Sequence, residues 1–164
     1  MKLLLDACSL ILLSKALVID MVVETYEAYT TVHAYGEVMR GKQYMHEDAL
    51  KIELIHSQAK LNLIKVNERV TERIARDFNM GLGEASIIAT AFKDRQLTVV
   101  TDNKQGRKAA RINKLPLVGS IEIIVDLFRK DKIHHDKAKN ALRLLQKEGW
   151  FDSYLISRAM EDLK

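Results

Sequence analysis

Two short apolar runs, each followed or ended by an aspartate, constrain the fold of this 164-residue chain more than any other feature. Residues 2–5 precede Asp6, and residues 97–101 precede Asp102. Runs of consecutive apolar residues are typical of strands that are buried on both faces of a parallel sheet. Because the carboxyl ends of parallel strands meet at the edge where open α/β sheets bind ligands, we expect both aspartates at that edge.

The segments around these runs alternate between strand and helix patterns. Strands are predicted at 2–6, 29–32, 63–66, 97–101 and 117–118, and helices at 10–16, 33–40, 45–60, 68–78, 81–92, 103–113, 120–130, 134–147 and 152–163. The stretch 18–32 is otherwise ambiguous. This alternation predicts a three-layer α/β/α fold with a central parallel sheet. Residues 1–130 would form the main domain, and 131–164 would form a C-terminal helical hairpin packed on it.

Several local contacts are also predicted. Ser9 is expected to cap the helix at 10–16. The helix at 45–60 is expected to place three apolar residues on one face, namely Leu50, Leu54 and Ile55. The C-terminal hairpin is expected to pack on the main domain or in a dimer through Leu142, Leu145, Trp150, Tyr154 and Leu155.

Composition excludes some classes of protein. The single cysteine, Cys8, rules out an internal disulfide and a cysteine-based zinc cluster, and it is expected to pack in the core. No uncharged run approaches the ~18 residues of a membrane span. Asp6 and Lys15 interrupt the apolar N-terminus, which argues against a signal peptide. We therefore expect a soluble, cytoplasmic protein with no membrane partner. The net charge of +4 fits a polyanionic partner without requiring one.

Two further acids, Glu37 and Glu84, each lie near a glycine at the predicted start of a helix. If they share the crevice with Asp6 and Asp102, the four carboxylates repel one another unless a cation compensates them. Hard oxygen ligands favour Mg²⁺ or Mn²⁺. Two structural alternatives remain open, since Glu84 could favour a helix N-terminus and Asp102 could cap the helix beginning at Asn103.

A basic stripe follows Asp102 on the next predicted helix. Its members recur at i, i+3, i+4 and i+7 and are Lys104, Arg107, Lys108 and Arg111. The stripe is either a phosphate-binding surface beside the acids or a solvated helix face. Arg40, close to Glu37, is a further candidate for substrate binding.

Three segments resemble the PIN-domain nucleases. They are the opening 3–9, with its aspartate and a serine three residues later; the segment 81–91, which contains Gly-x-Gly-Glu before an apolar helix; and the strand end 99–103. The continuation at 114–120, with a helical hairpin after it, is similar to the prokaryotic VapC-like subgroup. The chain departs from the family at Asn103, where related chains often carry a second aspartate.

The resemblance implies an endoribonuclease that cuts single-stranded RNA with Mg²⁺ or Mn²⁺. It implies that Asp6 and Asp102 bind the metal directly, Glu84 directly or through water, and Glu37 through water. Ser9 would orient Asp6 or a metal-bound water. A homodimer and an antitoxin partner are also implied.

Two other functions remain open at this point. One is a non-catalytic RNA- or protein-binding module on the same fold. The other is a different phosphotransfer enzyme, which is disfavoured because only one acid follows the first predicted strand. Among the histidines, His33 is expected to be structural or to contact substrate rather than to act as a base.

Overall fold

A five-stranded parallel sheet forms the centre of the protein, seen in a computed structural model that describes residues 1–44 and 46–164. The strands lie in the order β3-β2-β1-β4-β5. Their bounds are β1 Lys2–Leu5, β2 Glu27–Thr31, β3 Leu61–Ile64, β4 Leu97–Val100 and β5 Leu117–Val118. Since β1 and β4 are neighbours, Asp6 and Asp102 follow adjacent strands at the same edge of the sheet.

Helices cover both faces of the sheet, which confirms the predicted three-layer architecture. Their bounds are α1 Ala7–Lys15, α2 Ile19–Thr25, α3 Val32–Lys42, α4 Glu47–Ser57, α5 Glu68–Phe78, α6 Leu82–Lys93, α7 Lys104–Ile112, α8 Ser120–Arg129, α9 His135–Glu148 and α10 Ser153–Glu161. Alternate residues of a strand point to opposite faces. Leu3 and Leu5 accordingly belong to the core with α1, α8 and α9, whereas Leu4 belongs to the core with α6 and α7.

The ambiguous stretch 18–32 contains a helix as well as a strand. The helix α2 buries Ile19, Val22 and Val23 at the i, i+3, i+4 spacing of a helical face. Its β-branched residues suit a strand equally well, which is why local preference did not reveal it. The following strand β2 begins at Glu27, two residues before the predicted start.

The face of α4 that meets the core differs from the predicted one. Ala49, Ile52 and Ile55 are buried, whereas Leu50 and Leu54 are 44% and 51% exposed. The prediction was therefore right for Ile55 and wrong for the two leucines. Small Ala49 allows α4 to approach its neighbours closely, and the leucines lie one residue off that face. The first residue of the predicted helix, at position 45, lies outside the described residues.

The C-terminal helices share the core of the main sheet. Helix α9 packs on α1 and α8, and α10 packs on α8 and α9. Leu142 and Leu145 are fully buried, as predicted, but Trp150, Tyr154 and Leu155 are exposed. A division of the chain at residue 130 remains a prediction. In the described part of the chain, no helix combines the length and apolar character needed to cross a membrane.

Candidate active site

Asp6 is buried directly after β1, with only 2% of its surface exposed. Its Oδ1 accepts a 2.7 Å hydrogen bond from the Ser9 backbone N–H, so Asp6 caps α1. This corrects the prediction that Ser9 is the cap, because the helix begins at Ala7 and Ser9 lies within it. Among the described residues, no group donates a hydrogen bond to the other oxygen, Oδ2.

Burial raises the pKa of Asp6 to about 6, because the charged carboxylate loses its hydration. The nearby Thr101 hydroxyl and the Ser9 backbone N–H and hydroxyl offset part of this effect, although none of them donates a hydrogen bond to Oδ2, and the charge of Asp102 adds to it. A buried carboxylate oxygen without a donor requires an explanation. A cation bound against Oδ2 would supply one, so the residues present fit the divalent metal that the chemistry of the site calls for.

Asp102 lies just beyond β4 and is held by the start of α8. Its Oδ1 accepts a 2.9 Å hydrogen bond from the Ser120 backbone N–H, and its Oδ2 accepts one from the Ser120 hydroxyl. Burial raises the pKa of Asp102, while both bonds from Ser120 lower it. Close approach is possible because residue 119 is glycine, where an added Cβ would lie 2.7 Å from Asp102 Oδ1.

The alternative role for Asp102 as a helix cap is wrong. Asn103 caps α7, since its Oδ1 accepts hydrogen bonds from the backbone N–H groups of Gln105 and Gly106. Asn103 is therefore occupied in a structural contact at the position where a second acid was considered. Asp102 instead accepts its hydrogen bonds from Ser120, at the start of α8.

Ser9 connects the two aspartates. Its backbone N–H binds Asp6, and its hydroxyl lies 3.1 Å from the Val100 carbonyl oxygen and 3.3 Å from Asp102 Oδ2. One residue of α1 thus contacts the carboxylates that follow two neighbouring strands. The predicted role of Ser9 in orienting a substrate or a water remains a prediction.

Glu84 and Glu37 form a second pair of acids. Glu84 lies in the first turn of α6, and both its partial burial and the charge of Glu37 raise its pKa. Glu37 Oε1 accepts a 3.1 Å hydrogen bond from the Gly83 backbone N–H. Glu37 lies in the middle of α3 rather than at a helix start, so that part of the prediction was wrong.

The two pairs of acids meet at one edge of the sheet. Asp6 and Glu84 line the same small cleft, together with Thr101 and Gly106. Partial burial, and to a lesser extent the charges of Asp6, Asp102 and Glu84, raise the pKa of the Cys8 thiol to about 12. Cys8 is exposed at this edge, which corrects the prediction that it packs in the core. Within the described residues, no three acidic, histidine or cysteine side chains are close enough together to form a complete metal-binding set.

The basic stripe divides into two parts. The Arg107 guanidinium is half-buried, donates to the Thr101 carbonyl oxygen at 3.1 Å and lies 3.5 Å from Glu122. Arg107 therefore joins the end of β4 to α8. The other three members are exposed, and they are Lys104, Lys108 and Arg111.

The other two predicted substrate contacts lie near Glu37 and α5. Arg40 is exposed and lies 3.9 Å from Glu37 Oε1. The His33 ring lies 2.8 Å from the Glu68 carboxylate.

Sequence reasoning missed three residues that shape the site. Ser120 binds Asp102, Gly119 leaves room for it, and the nearby Thr101 hydroxyl lowers the pKa of Asp6. A signal for the first two was present, because Gly119 and Ser120 follow β5 and begin a helix whose N-terminus attracts negative charge.

Comparison with known proteins identifies the family. The family model DUF3368, described as a PIN domain, matches residues 2–164. The chain belongs to the PIN-domain family. The crystal structure of PAE2754 from Pyrobaculum aerophilum matches with a TM-score of 0.55 and 16% identity, covering 77% of this chain and 89% of that one. At this identity the likeness concerns the fold. No curated protein matches the sequence.

PIN domains are generally nucleases and typically use divalent metals, so this chain has a nuclease-type fold. The acids at the carboxyl edge of its parallel sheet lie where α/β folds bind their ligands. The unpartnered oxygen of Asp6 lies at this edge.

Ser120→Ala is expected to weaken the support of Asp102. The variant keeps the backbone N–H but loses the hydroxyl donor, so the pKa of Asp102 should rise and the free energy of unfolding should fall by about 1 kcal/mol. The acid limb of any metal-dependent activity should move to higher pH. Chemical denaturation and a pH profile measure these effects, with the exposed Ser157→Ala as the control. An unchanged pH profile would show that the hydroxyl does not tune Asp102.

Proposed function

We propose that this PIN domain is a Mg²⁺- or Mn²⁺-dependent endoribonuclease that hydrolyses phosphodiester bonds in single-stranded RNA. The observation that carries the proposal is the buried, unpartnered Oδ2 of Asp6 beside Asp102 at the carboxyl edge of the sheet. Isolated burial of a carboxylate is unfavourable, and a divalent cation offsets it with the ligand chemistry that Mg²⁺ prefers.

Each acid has a proposed role in this reaction. Asp6 and Asp102 bind the metal directly, Glu84 binds it directly or through water, and Glu37 binds through water. When bound, the ion activates water as the nucleophile and stabilises the charge that develops on the phosphate. Ser9 and Ser120 fix the orientation of the two aspartates through the hydrogen bonds they make.

The protein must also hold a polyanion beside the acids. Lys104, Lys108 and Arg111 are exposed on α7, which begins two residues after Asp102, and they neutralise phosphates on either side of the cut. Arg40 extends this role on the Glu37 side. Arg107 instead stabilises the site by joining β4 to α8. No histidine base is needed, and His33 is paired with Glu68.

The finer assignment is a toxin of the VapC-like subgroup, controlled by an antitoxin protein in the cytoplasm. The support is the resemblance of 114–120 and of the helices after it to that subgroup. A homodimer is proposed on the same basis. Growth arrest on expression of the wild-type chain, but not of Asp102→Asn, would support the toxin role; equal growth of both strains would contradict it.

A second candidate function is a non-catalytic RNA-binding module. Two observations favour it. No three acids among the described residues lie close enough together to form a complete metal-binding set. Asn103, which stands where related chains often carry a second aspartate, caps α7 instead. Such a module would bind RNA equally well with and without a divalent ion, and it would leave the RNA intact.

A cleavage assay distinguishes the two functions. Purified protein is incubated with single- and double-stranded RNA and DNA in Mg²⁺, in Mn²⁺ and in EDTA. We expect cleavage of single-stranded RNA that EDTA stops, and a loss of at least about 100-fold in Asp102→Asn. The exposed Asp136→Asn serves as the matched control. Cleavage that persists unchanged in Asp102→Asn would contradict the site, and intact RNA in every condition would favour the binding module.

A further inference from the structure

The turn between α9 and α10 exposes the only tryptophan of the chain. Gly149 is extended at the end of α9, and the Phe151 ring lies against it where a Cβ would otherwise stand. Phe151 packs on the core. Because successive residues of an extended segment point to opposite sides, Trp150 faces solvent and is completely exposed. Tyr154, in the first turn of α10, is 67% exposed.

Three basic residues lead along α9 towards this turn. Lys139, Arg143 and Lys147 recur at i, i+4 and i+8 and therefore share one side of the helix. In the described part of the chain, the ion pairs of α9 are those of His135 with Asp136 and of Glu148 with Lys15. Among the described residues, no carboxylate lies within ion-pair distance of these three bases.

We propose that Trp150 and Tyr154, with Lys139, Arg143 and Lys147, bind a stretch of single-stranded RNA outside the cleavage crevice. The identity of this ligand rests on the proposed nuclease function. Exposed aromatic rings stack on unpaired bases, and a row of cations follows the phosphates; single-stranded nucleic acid is bound by this combination of groups.

A groove lies next to the helix that carries Tyr154. It lies between α8 and α10, has a volume of about 360 Å³ and is lined by both Glu122 and Leu155. The Glu122 carboxylate binds the Gly119 backbone N–H, next to the contact between Asp102 and Ser120. Leu155 directly follows Tyr154. The groove therefore lies between the contacts that hold Asp102 and the helix that carries Tyr154.

Charge favours RNA over a second copy of the chain at this surface. A symmetric dimer places the same patch of both copies face to face. Such a contact would bring two sets of uncompensated bases together, which is unfavourable. A polyanion meets the same bases with complementary charge.

The fluorescence of Trp150 tests the proposal directly, because the chain has one tryptophan. Asp6→Asn protein in EDTA is titrated with a single-stranded RNA of about 15 nucleotides. We expect saturable quenching, and no comparable quenching by a duplex. With labelled RNA, Trp150→Ala should weaken the Kd about tenfold, and Trp150→Phe should keep it within about threefold. Replacing the three bases by glutamine should make the fall of log K with log salt shallower, reducing the magnitude of its slope by about 2.

Matched controls address general losses of aromatic area and charge. Phe92→Ala removes an aromatic ring that is also exposed, and glutamine at Arg69, Arg73 and Arg76 removes three exposed bases of α5. An unchanged Kd in Trp150→Ala would overturn the proposal. So would equal quenching by duplex, or sedimentation showing that Trp150→Ala abolishes self-association instead of RNA binding.

The outcome is separable from that of the proposed function. Binding is measured with inactive protein and without metal, so a wild-type chain that binds through Trp150 but never cleaves would contradict the nuclease and retain this surface. If the wild-type chain cleaves RNA and Trp150→Ala leaves the KM unchanged, the nuclease function would be supported and this surface would be contradicted.

Discussion

Asp6→Asn is expected to abolish metal-dependent RNA cleavage and, at pH 8, to raise the free energy of unfolding. Asparagine is as good a helix cap as aspartate, so its side-chain oxygen can keep the bond from the Ser9 backbone N–H. It also removes the negative charge that is buried without a donor at Oδ2. The same substitution should therefore stabilise the fold and destroy the proposed metal site.

The pH dependence of stability follows from the raised pKa of Asp6. The folded protein holds the Asp6 proton up to a pH of about 6, whereas the unfolded chain releases it near 3.8. Between these values the folded state binds more protons, so the free energy of unfolding falls as the pH rises. Since one pKa unit corresponds to about 1.4 kcal/mol, the total fall is on the order of 3 kcal/mol. Asp6→Asn should lack this contribution, giving a flatter profile between pH 4 and 6.

Metal provides an independent measurement on the same residue. Mg²⁺ or Mn²⁺ that binds only the folded state should raise the melting temperature of the wild-type chain, and should do so far less in Asp6→Asn. The exposed Asp136→Asn should behave as wild type in denaturation, melting and cleavage. If Asp6→Asn instead proved less stable than wild type at pH 8, the Asp6 carboxylate would have a favourable partner that the structure does not show.

The positions of Asp6 and Asp102 could be predicted because they depend on local signals and one topological rule. A buried strand ends where a charge appears, and parallel strands end at a common edge. The pairing of β1 with β4 then makes the two aspartates neighbours. The apolar helix that follows Gly-x-Gly-Glu in the sequence is α6, and most of its residues are buried.

The contacts that tune the site could not be predicted, because they join segments far apart in sequence. Ser120 reaches Asp102 across 18 positions, and Glu37 reaches Gly83 across 46. Neither pair has a local pattern. The faces of helices also escaped prediction where the core needed a small residue, as at Ala49, or where Phe151 took the inward place and left Trp150 in solvent.

Gly83→Ala is expected to impair cleavage as strongly as Glu37→Gln does, although residue 83 carries no chemical group. A Cβ at this position would overlap the Glu37 carboxyl group. The backbone of Gly83 has a negative φ that alanine accepts, so the effect must come from displacing the acid. Because the clash is with the far end of a flexible side chain, the carboxyl group can move away, so we expect a strong loss of cleavage with a change of less than about 1 kcal/mol in the free energy of unfolding.

A double-mutant cycle isolates this contact. If the added methyl group conflicts only with Glu37, Gly83→Ala should give a more favourable change in the free energy of unfolding in the Glu37→Ala chain, where the carboxyl group is gone, than in the wild-type chain. Gly36→Ala is the matched control, because a Cβ there has nothing within 4 Å. Since alanine favours a helix interior, that variant should be more stable by about 0.5–1 kcal/mol and should cleave normally. An equal change in the free energy of unfolding in both backgrounds would mean that the position of Glu37 does not depend on the glycine.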